Sequence, residues 1–475
     1  MKKSIVACVS LILMAVLHAN ASGQIENSAN QSSAPSRFEA SADQAARTQQ
    51  ALENIEKAIT VLIPGGIKEG SPRKKQFAAV IDSFIKGNAR DTMEALKKMA
   101  AEDPNLPPAE VMMAGLTFAV GDSKSGIVLL ESSAVKHPDY PGVYLSFAQI
   151  AINTNRITDA SLHADKTARL LESGNLSPER KKHFLKQYYE VATNIYLRRK
   201  KNQKANETLE QLQALSPNLP FYYFSKAELA FRDGNNDVAL QNLKQHATAI
   251  QSKRIPELTL VDWLKNTGKD GQAQDLLLKT RQQNPKDAAT QLMAAQMFMA
   301  KEDFENSLKA IQAFEEANGG ESKQSLDMKG RIAFAGLSYD VAAGHFSKLA
   351  PSDTSSANIL ALCLIESDDP AKRQQAKQIS QQIASRLTSN MLAIGSLAYI
   401  YLKSGEKEKS KQLMQRVILS RQATPEISFF VANSLIDSGQ KEEAAGILKQ
   451  ALNSKSLFLY RSASRKLLTS LESQQ

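Results

Sequence analysis

The chain has 475 residues, of which 42% are hydrophobic, 23% charged and 6% aromatic, with 22 glycines and 16 prolines. Scarce glycine and proline beside abundant Ala, Leu, Gln, Lys, Glu and Ser favour an all-α fold. The net charge of +10 (59 basic minus 49 acidic residues) is spread along the chain rather than gathered in a stripe, so no nucleic-acid partner is expected.

Residues 1–21 read as a secretory signal. Lys2 and Lys3 form its positive end, Ile5 to Leu17 its apolar run, and Ala19-Asn20-Ala21 the small-residue cleavage site. The apolar run holds 13 residues (17 − 5 + 1), short of the about 20 that a spanning helix needs. No later segment comes closer, so no transmembrane segment is expected in the mature chain. A lipobox reading of Ile5-Val6-Ala7-Cys8 competes, but the apolar run before Cys8 is too short and continues past it. Cleavage after Ala21 leaves a charge of +8 (57 − 49) and Cys363 as the one cysteine, which permits no intrachain disulfide. The expected location is therefore exported, periplasmic or secreted, in a bacterium.

Residues 22–40 are polar and aperiodic and read as a flexible linker. Residues 41–72 form an N-terminal helix and loop. Leu52, Ile55, Ile59 and Leu62 recur at helical spacing, and Pro64-Gly65-Gly66 ends the helix.

From residue 73 the chain repeats. Turn residues recur at Gly87, Gly121, Asn155, Lys200, Gly234, Gly268, Glu302, Gly336, Ala371, Gly405 and Gly439, at steps of 34, 34, 45, 34, 34, 34, 34, 35, 34 and 34. Ala398, Tyr401, Gly405, Ser410, Met414 and Val417 map onto Ala432, Leu435, Gly439, Ala444, Leu448 and Ala451, each pair 34 apart. Pro104, Pro138, Pro217 and Pro285 each follow their turn residue by 17. This period and grammar resemble the tetratricopeptide (TPR) repeat family, with small residues at positions 8 and 20, a glycine turn near 15 and a proline at 32. Tyr144, Tyr189 and Tyr223 stand where the family prefers Trp at position 4.

The resemblance implies a right-handed α-solenoid of about eleven TPR-like helix hairpins. Repeats are expected over 73–172, 186–318 and 389–455, with an insertion and extended helix start at 173–185. Residues 319–388 form degenerate repeats, since Ala342 and Phe346 fall one position late and Asp368-Asp369-Pro370 adds residues to a turn. Residues 456–475, with an amphipathic helix from Leu457 to Leu471, are expected to cap the last apolar face.

No catalytic constellation emerges. His137, His163, His183, His246 and His345 form no HExxH pair and lie at no metal-ligand spacing. There is no GxGxxG, GxxxxGK[ST] or GxSxG, and Cys363 sits in an apolar run as a buried, inert thiol. Neither cofactor nor metal is expected, and the chain does not read as an enzyme.

The family resemblance implies that positions 2, 5, 9 and 12 of each first helix line a groove. These are Phe221, Phe224, Glu228 and Phe231 in the hairpin turning at Gly234, and Gln187, Glu190, Asn194 and Leu197 in the one before it. Phe221, Phe224, Glu228, Phe231, Glu190, Asn194 and Leu197 therefore form the expected partner-binding surface. The phenylalanines read equally as groove anchors or as rings packed between hairpins, while Tyr223 reads as core. The expected function is a non-catalytic scaffold or adaptor of the cell envelope that captures a protein partner. The alternative is a structural component of a polysaccharide export or assembly machine. There, the basic run Arg198-Arg199-Lys200-Lys201, with Arg180, Lys181 and Lys182, would meet an anionic envelope polymer.

Overall fold

The computed structural model describes residues 72–174, 176–454 and 457–473; the expectations for the signal segment, Cys8, the linker and the N-terminal helix lie outside them. Among the described residues the chain forms 23 helices and no strand. Twenty-two of them make eleven successive hairpins, and the last stands alone. The fold is an α-solenoid of helix hairpins.

The chain divides into two compact units at residues 256 and 257. The first holds α1 (Pro72–Ile85), α2 (Ala89–Glu102), α3 (Ala109–Ala119), α4 (Ser123–Lys136), α5 (Pro141–Asn153), α6 (Ile157–Ser173), α7 (Pro178–Arg198), α8 (Asn202–Leu215), α9 (Pro220–Arg232) and α10 (Asn236–Ile250). The second runs from α11 (Pro256–Asn266) through α12 (Asp270–Gln283), α13 (Ala288–Ala300), α14 (Phe304–Asn318), α15 (Lys323–Ala335), α16 (Tyr339–Leu349), α17 (Thr354–Ile365), α18 (Pro370–Arg386), α19 (Met391–Lys403), α20 (Lys407–Leu419), α21 (Pro425–Asp437) and α22 (Lys441–Leu452) to α23 (Arg461–Glu472).

Local chemistry sets the helix starts. Pro141, Pro178, Pro220, Pro370 and Pro425 open helices, where their missing N–H costs nothing. Asp122, Asp287, Asp303 and Asp353 each accept a backbone N–H of the first turn. The hairpin turns need a left-handed residue. Nine of the eleven expected positions supply it, with φ between +56° and +87° at Gly87, Gly121, Asn155, Lys200, Gly234, Gly268, Glu302, Gly405 and Gly439.

The other two expected turn residues are corrected. Gly336 has φ −79°, and Leu337 carries the left-handed conformation at +63°. Ala371 lies in the first turn of α18, its N–H bonded to the Asp369 carboxylate at 2.8 Å. The phase survives regardless, because Leu337 to Gly405 spans 68 residues, twice 34. α16 has 11 residues and α18 has 17, departures from the usual 14 that cancel. The degenerate stretch thus redistributes length between helices while keeping the repeat.

The 45-residue step is also resolved. α7 starts five positions after α6 ends, as α9 does after α8. α6 has 17 residues against 14 in α8, and α7 has 21 against 13 in α9, so 3 + 8 = 11 extra residues are all helical.

Positions 8 and 20 are where the two helices of a hairpin meet. Ala148 and Ala160, Ala227 and Ala239, and Ala432 and Ala444 are all 0% exposed. Where the position-20 residue is serine, its hydroxyl finds the partner helix: Ser307 Oγ donates to the Ala295 carbonyl at 2.7 Å and Ser410 Oγ to Ala398 at 2.8 Å. The two hairpins solve the same buried-hydroxyl problem identically. At Gly330 even a methyl would come within 2.7 Å of the Phe346 ring.

Candidate partner-binding face

α7 and α9, the first helices of the fourth and fifth hairpins, carry the seven expected partner-binding residues. Leu197 of α7 and Leu229 of α9 join Leu209 and Leu212 of α8 and Leu219 in a core cluster, against which Tyr189, Tyr196, Phe221 and Tyr222 pack half-buried. Leu197 is 3% and Phe231 8% exposed. Both side chains are therefore largely buried.

The physical reason is convergence of the first helices near their turns. The Arg232 guanidinium at the end of α9 donates from Nη1 to the Leu197 carbonyl at the end of α7, 2.5 Å away. Position 12 is also buried at Ile152 (0%) and Met299 (3%), whereas Phe84, Phe118, Leu402 and Ile436 are half-buried there and Lys265 is exposed. On α9, Phe221 and Phe224, nearer the helix start, stay more open.

Phe224 is 36% exposed, and its ring lies 5.2 Å from that of His246 on α10. His246 is itself held by the Pro220 carbonyl at 3.0 Å, and burial lowers its basicity although that carbonyl raises it. Phe221 is half-buried against the cluster rather than free in a groove. Glu228 pairs with Arg232, one helical turn on. Glu190 is half-buried, and the Asn194 side-chain Nδ2 is buried without a hydrogen-bond partner.

Tyr223 is not core. It is half-buried, and its hydroxyl donates to Asn218 Oδ1 at 2.8 Å, while Tyr144 at the matching position donates to the Pro138 carbonyl at 3.0 Å. These two position-4 tyrosines brace the loop that precedes their own helix, while Tyr189, in the middle of α7, packs against the core cluster. Residues that sequence reasoning passed over are Arg232 and Lys226, which lies 5.6 Å above the Tyr222 ring and 2.6 Å from Glu210. Basic residues one turn beyond an aromatic run would have signalled them.

The basic residues do not gather. Lys181 and Lys182 start α7, and Arg198, Arg199, Lys200 and Lys201 stand at its far end. Eighteen residues of helix put the groups about 27 Å apart. Among the described residues, no group of three or more His, Cys, Asp or Glu is placed to hold a metal ion. No described helix is long and apolar enough to cross a membrane. Cys363 is 2% exposed, and burial pushes its thiol up, which keeps it protonated and inert.

Fold and face together describe a helical-repeat protein built from TPR-like hairpins. No family model matches the sequence, and no curated protein matches it. Among solved structures, the chain is similar to a tetratricopeptide repeat protein from Parabacteroides merdae at 14% identity, covering 53% of this chain and 98% of that one, with a TM-score of 0.41. It is also similar to yeast Tom70, at 11% identity over 85% of this chain and 97% of that one, with a TM-score of 0.31. A third is Cut9 in the Cut9–Hcn1 complex of APC/C, at 10% identity over 84% and 96%, with a TM-score of 0.34.

Proposed function

We propose that the chain is a non-catalytic protein-binding scaffold of the bacterial cell envelope, and that the face formed by α7 and α9 captures a partner polypeptide. The observation that carries this reading is the exposure of Phe224 at position 5, on the same helix as half-buried Phe221. Large rings kept partly in water suit an apolar side chain of a bound polypeptide. The separation of the basic groups at the two ends of α7 deprives the polymer reading of a concentrated surface.

Export rests on the Lys2-Lys3 end, the apolar run and the Ala19-Asn20-Ala21 site. Intact mass of the protein recovered from fractionated cells tests it, with cleavage after Ala21 as the expected result. For binding, cross-linked capture from envelope fractions is compared between the wild type and a Phe221→Ser/Phe224→Ser variant. A partner lost selectively in the variant supports the reading. An identical set of captured proteins, or none, refutes it.

A further inference from the structure

The C-terminal segment of the second unit does more than cover the last hairpin. Leu457–Tyr460 are not helical, contrary to the expectation of a helix from Leu457, and α23 begins only at Arg461. The Tyr460 ring is 1% exposed. Phe429, Phe334, Phe430 and Tyr399 surround it, with ring centroids 4.2, 4.9, 5.5 and 5.9 Å away.

These contacts have a pattern. Counting from the small residue at position 8, Glu426 and Phe429 are positions 2 and 5 of the eleventh hairpin. Tyr399 is position 9 of the tenth, and Phe334 position 12 of the eighth. All but Phe430, at position 6, belong to the set of positions that the family resemblance assigns to a groove. The Leu459 N–H donates to the Glu426 carboxylate at 3.3 Å, as the backbone of a bound peptide would. Burial raises the Glu426 carboxyl above its ordinary range. Farther along, Arg465 pairs with Glu302, at the turn of the seventh hairpin, at 2.8 Å. The segment therefore runs from the eleventh hairpin to the seventh across first-helix side chains.

Its seat is imperfect. Tyr460 Oη, Ser462 Oγ and Ser464 Oγ are buried without a hydrogen-bond partner. A hydroxyl withdrawn from water and left unpaired weakens the docked state by roughly tenfold. An occupant bringing a ring but no hydroxyl would fit better.

We propose that this face of the second unit is a peptide-binding site held shut by the chain's own Leu457–Tyr460. Its ligand is an external segment that presents an aromatic side chain after two apolar residues, in the pattern of Phe458-Leu459-Tyr460. Such a segment must displace the tail, so its apparent affinity falls by the fraction of molecules whose tail is open. Tethering holds the tail at an effective concentration on the order of millimolar, which makes it a strong competitor. This inference uses residues of the second unit only and is independent of the reading of α7 and α9.

A labelled synthetic peptide spanning Asn453 to Glu472 is titrated into the full chain by fluorescence anisotropy. Binding to the Tyr460→Ala chain at least tenfold tighter than to wild type is expected. A peptide carrying the same Tyr460→Ala change should not bind. In wild type, amides of α23 should exchange with solvent through an opening separate from that of α19 and α21, and Tyr460→Phe should slow that exchange about tenfold. Two results overturn the proposal. One is no gain in peptide binding by a Tyr460→Ala chain that retains its helicity. The other, decisive if that variant unfolds, is wild-type α23 exchanging only together with α19 and α21, since the tail is then part of the core.

Discussion

The ring of Tyr460 stacks on that of Phe429, with centroids 4.2 Å apart and planes inclined by 16°. One ring belongs to the last connecting segment and the other to the first helix of the eleventh hairpin. Phe429 is 4% exposed and also meets Tyr399 at 5.7 Å, so it joins three parts of the second unit. Phe429→Ala removes the shared wall of this cluster. The expected loss of stability is about 3–5 kcal/mol, the range for burying no ring where one was. Urea unfolding followed by circular dichroism measures it, and a loss under about 1 kcal/mol contradicts the packing described.

Two glycines of one hairpin should respond in opposite directions to the same change. A methyl at Gly330 on α15 would meet the Phe346 ring at 2.7 Å, and that ring is 0% exposed and has nowhere to move. A methyl at Gly344 on α16 meets nothing within 4 Å. Gly330→Ala is expected to destabilise by about 1–3 kcal/mol through overpacking, outweighing its helix-propensity gain. Gly344→Ala is expected to stabilise by about 0.5–1 kcal/mol. Thermal melts of the two variants should bracket the wild type.

Leu337 holds φ +63°, a conformation that costs a branched side chain roughly 1–2 kcal/mol. Leu337→Gly should therefore stabilise the eighth hairpin by about 1 kcal/mol, partly offset by greater freedom in the unfolded chain. Gly336→Ala, at φ −79°, should bring no comparable gain. Melting temperatures of both variants check the shifted turn directly.

His183 offers a pH test in the first unit. Burial above all, then Lys186 and Arg180, pushes its imidazole down to about 4, and the Gln187 amide donates to its Nε2 at 3.0 Å. The folded value lies below the unfolded one of 6.5, so the unfolded chain takes up a proton first as pH falls. Stability from the neutral ring is complete above 6.5 and is lost between there and about 4. The loss should be on the order of 2–3 kcal/mol. His183→Gln should flatten that slope, as denaturant titrations at pH 7 and pH 4.5 will read.

Much of the architecture is legible in the sequence because its cause is local. A left-handed turn residue every 34 positions and a small residue on each side of it follow from backbone sterics and helix contact. Nine of eleven turns and the buried alanines at positions 8 and 20 stand where the period puts them. Even the 11-residue insertion announces itself by its length. Its resolution into helix rather than loop needed the structure, because Ser177 and Pro178 start a helix as readily as they end a loop.

What only tertiary structure decided is which side chains along one helix face remain in contact with water. Phe221, Phe224, Leu197 and Phe231 share the apolar character that the sequence shows, yet Leu197 and Phe231 are core and Phe224 is not. That outcome depends on how closely successive first helices approach near their turns, which the Arg232 bond to the Leu197 carbonyl records. The tail shows the same limit. Phe458-Leu459-Tyr460 reads as the start of a capping helix, whereas its backbone and ring are claimed by Glu426 and Phe429, more than thirty residues away. Periodicity is a property of neighbours in sequence, so it sets the hairpins. Burial belongs to neighbours in space, so which side chains stay exposed appears only once the hairpins are stacked.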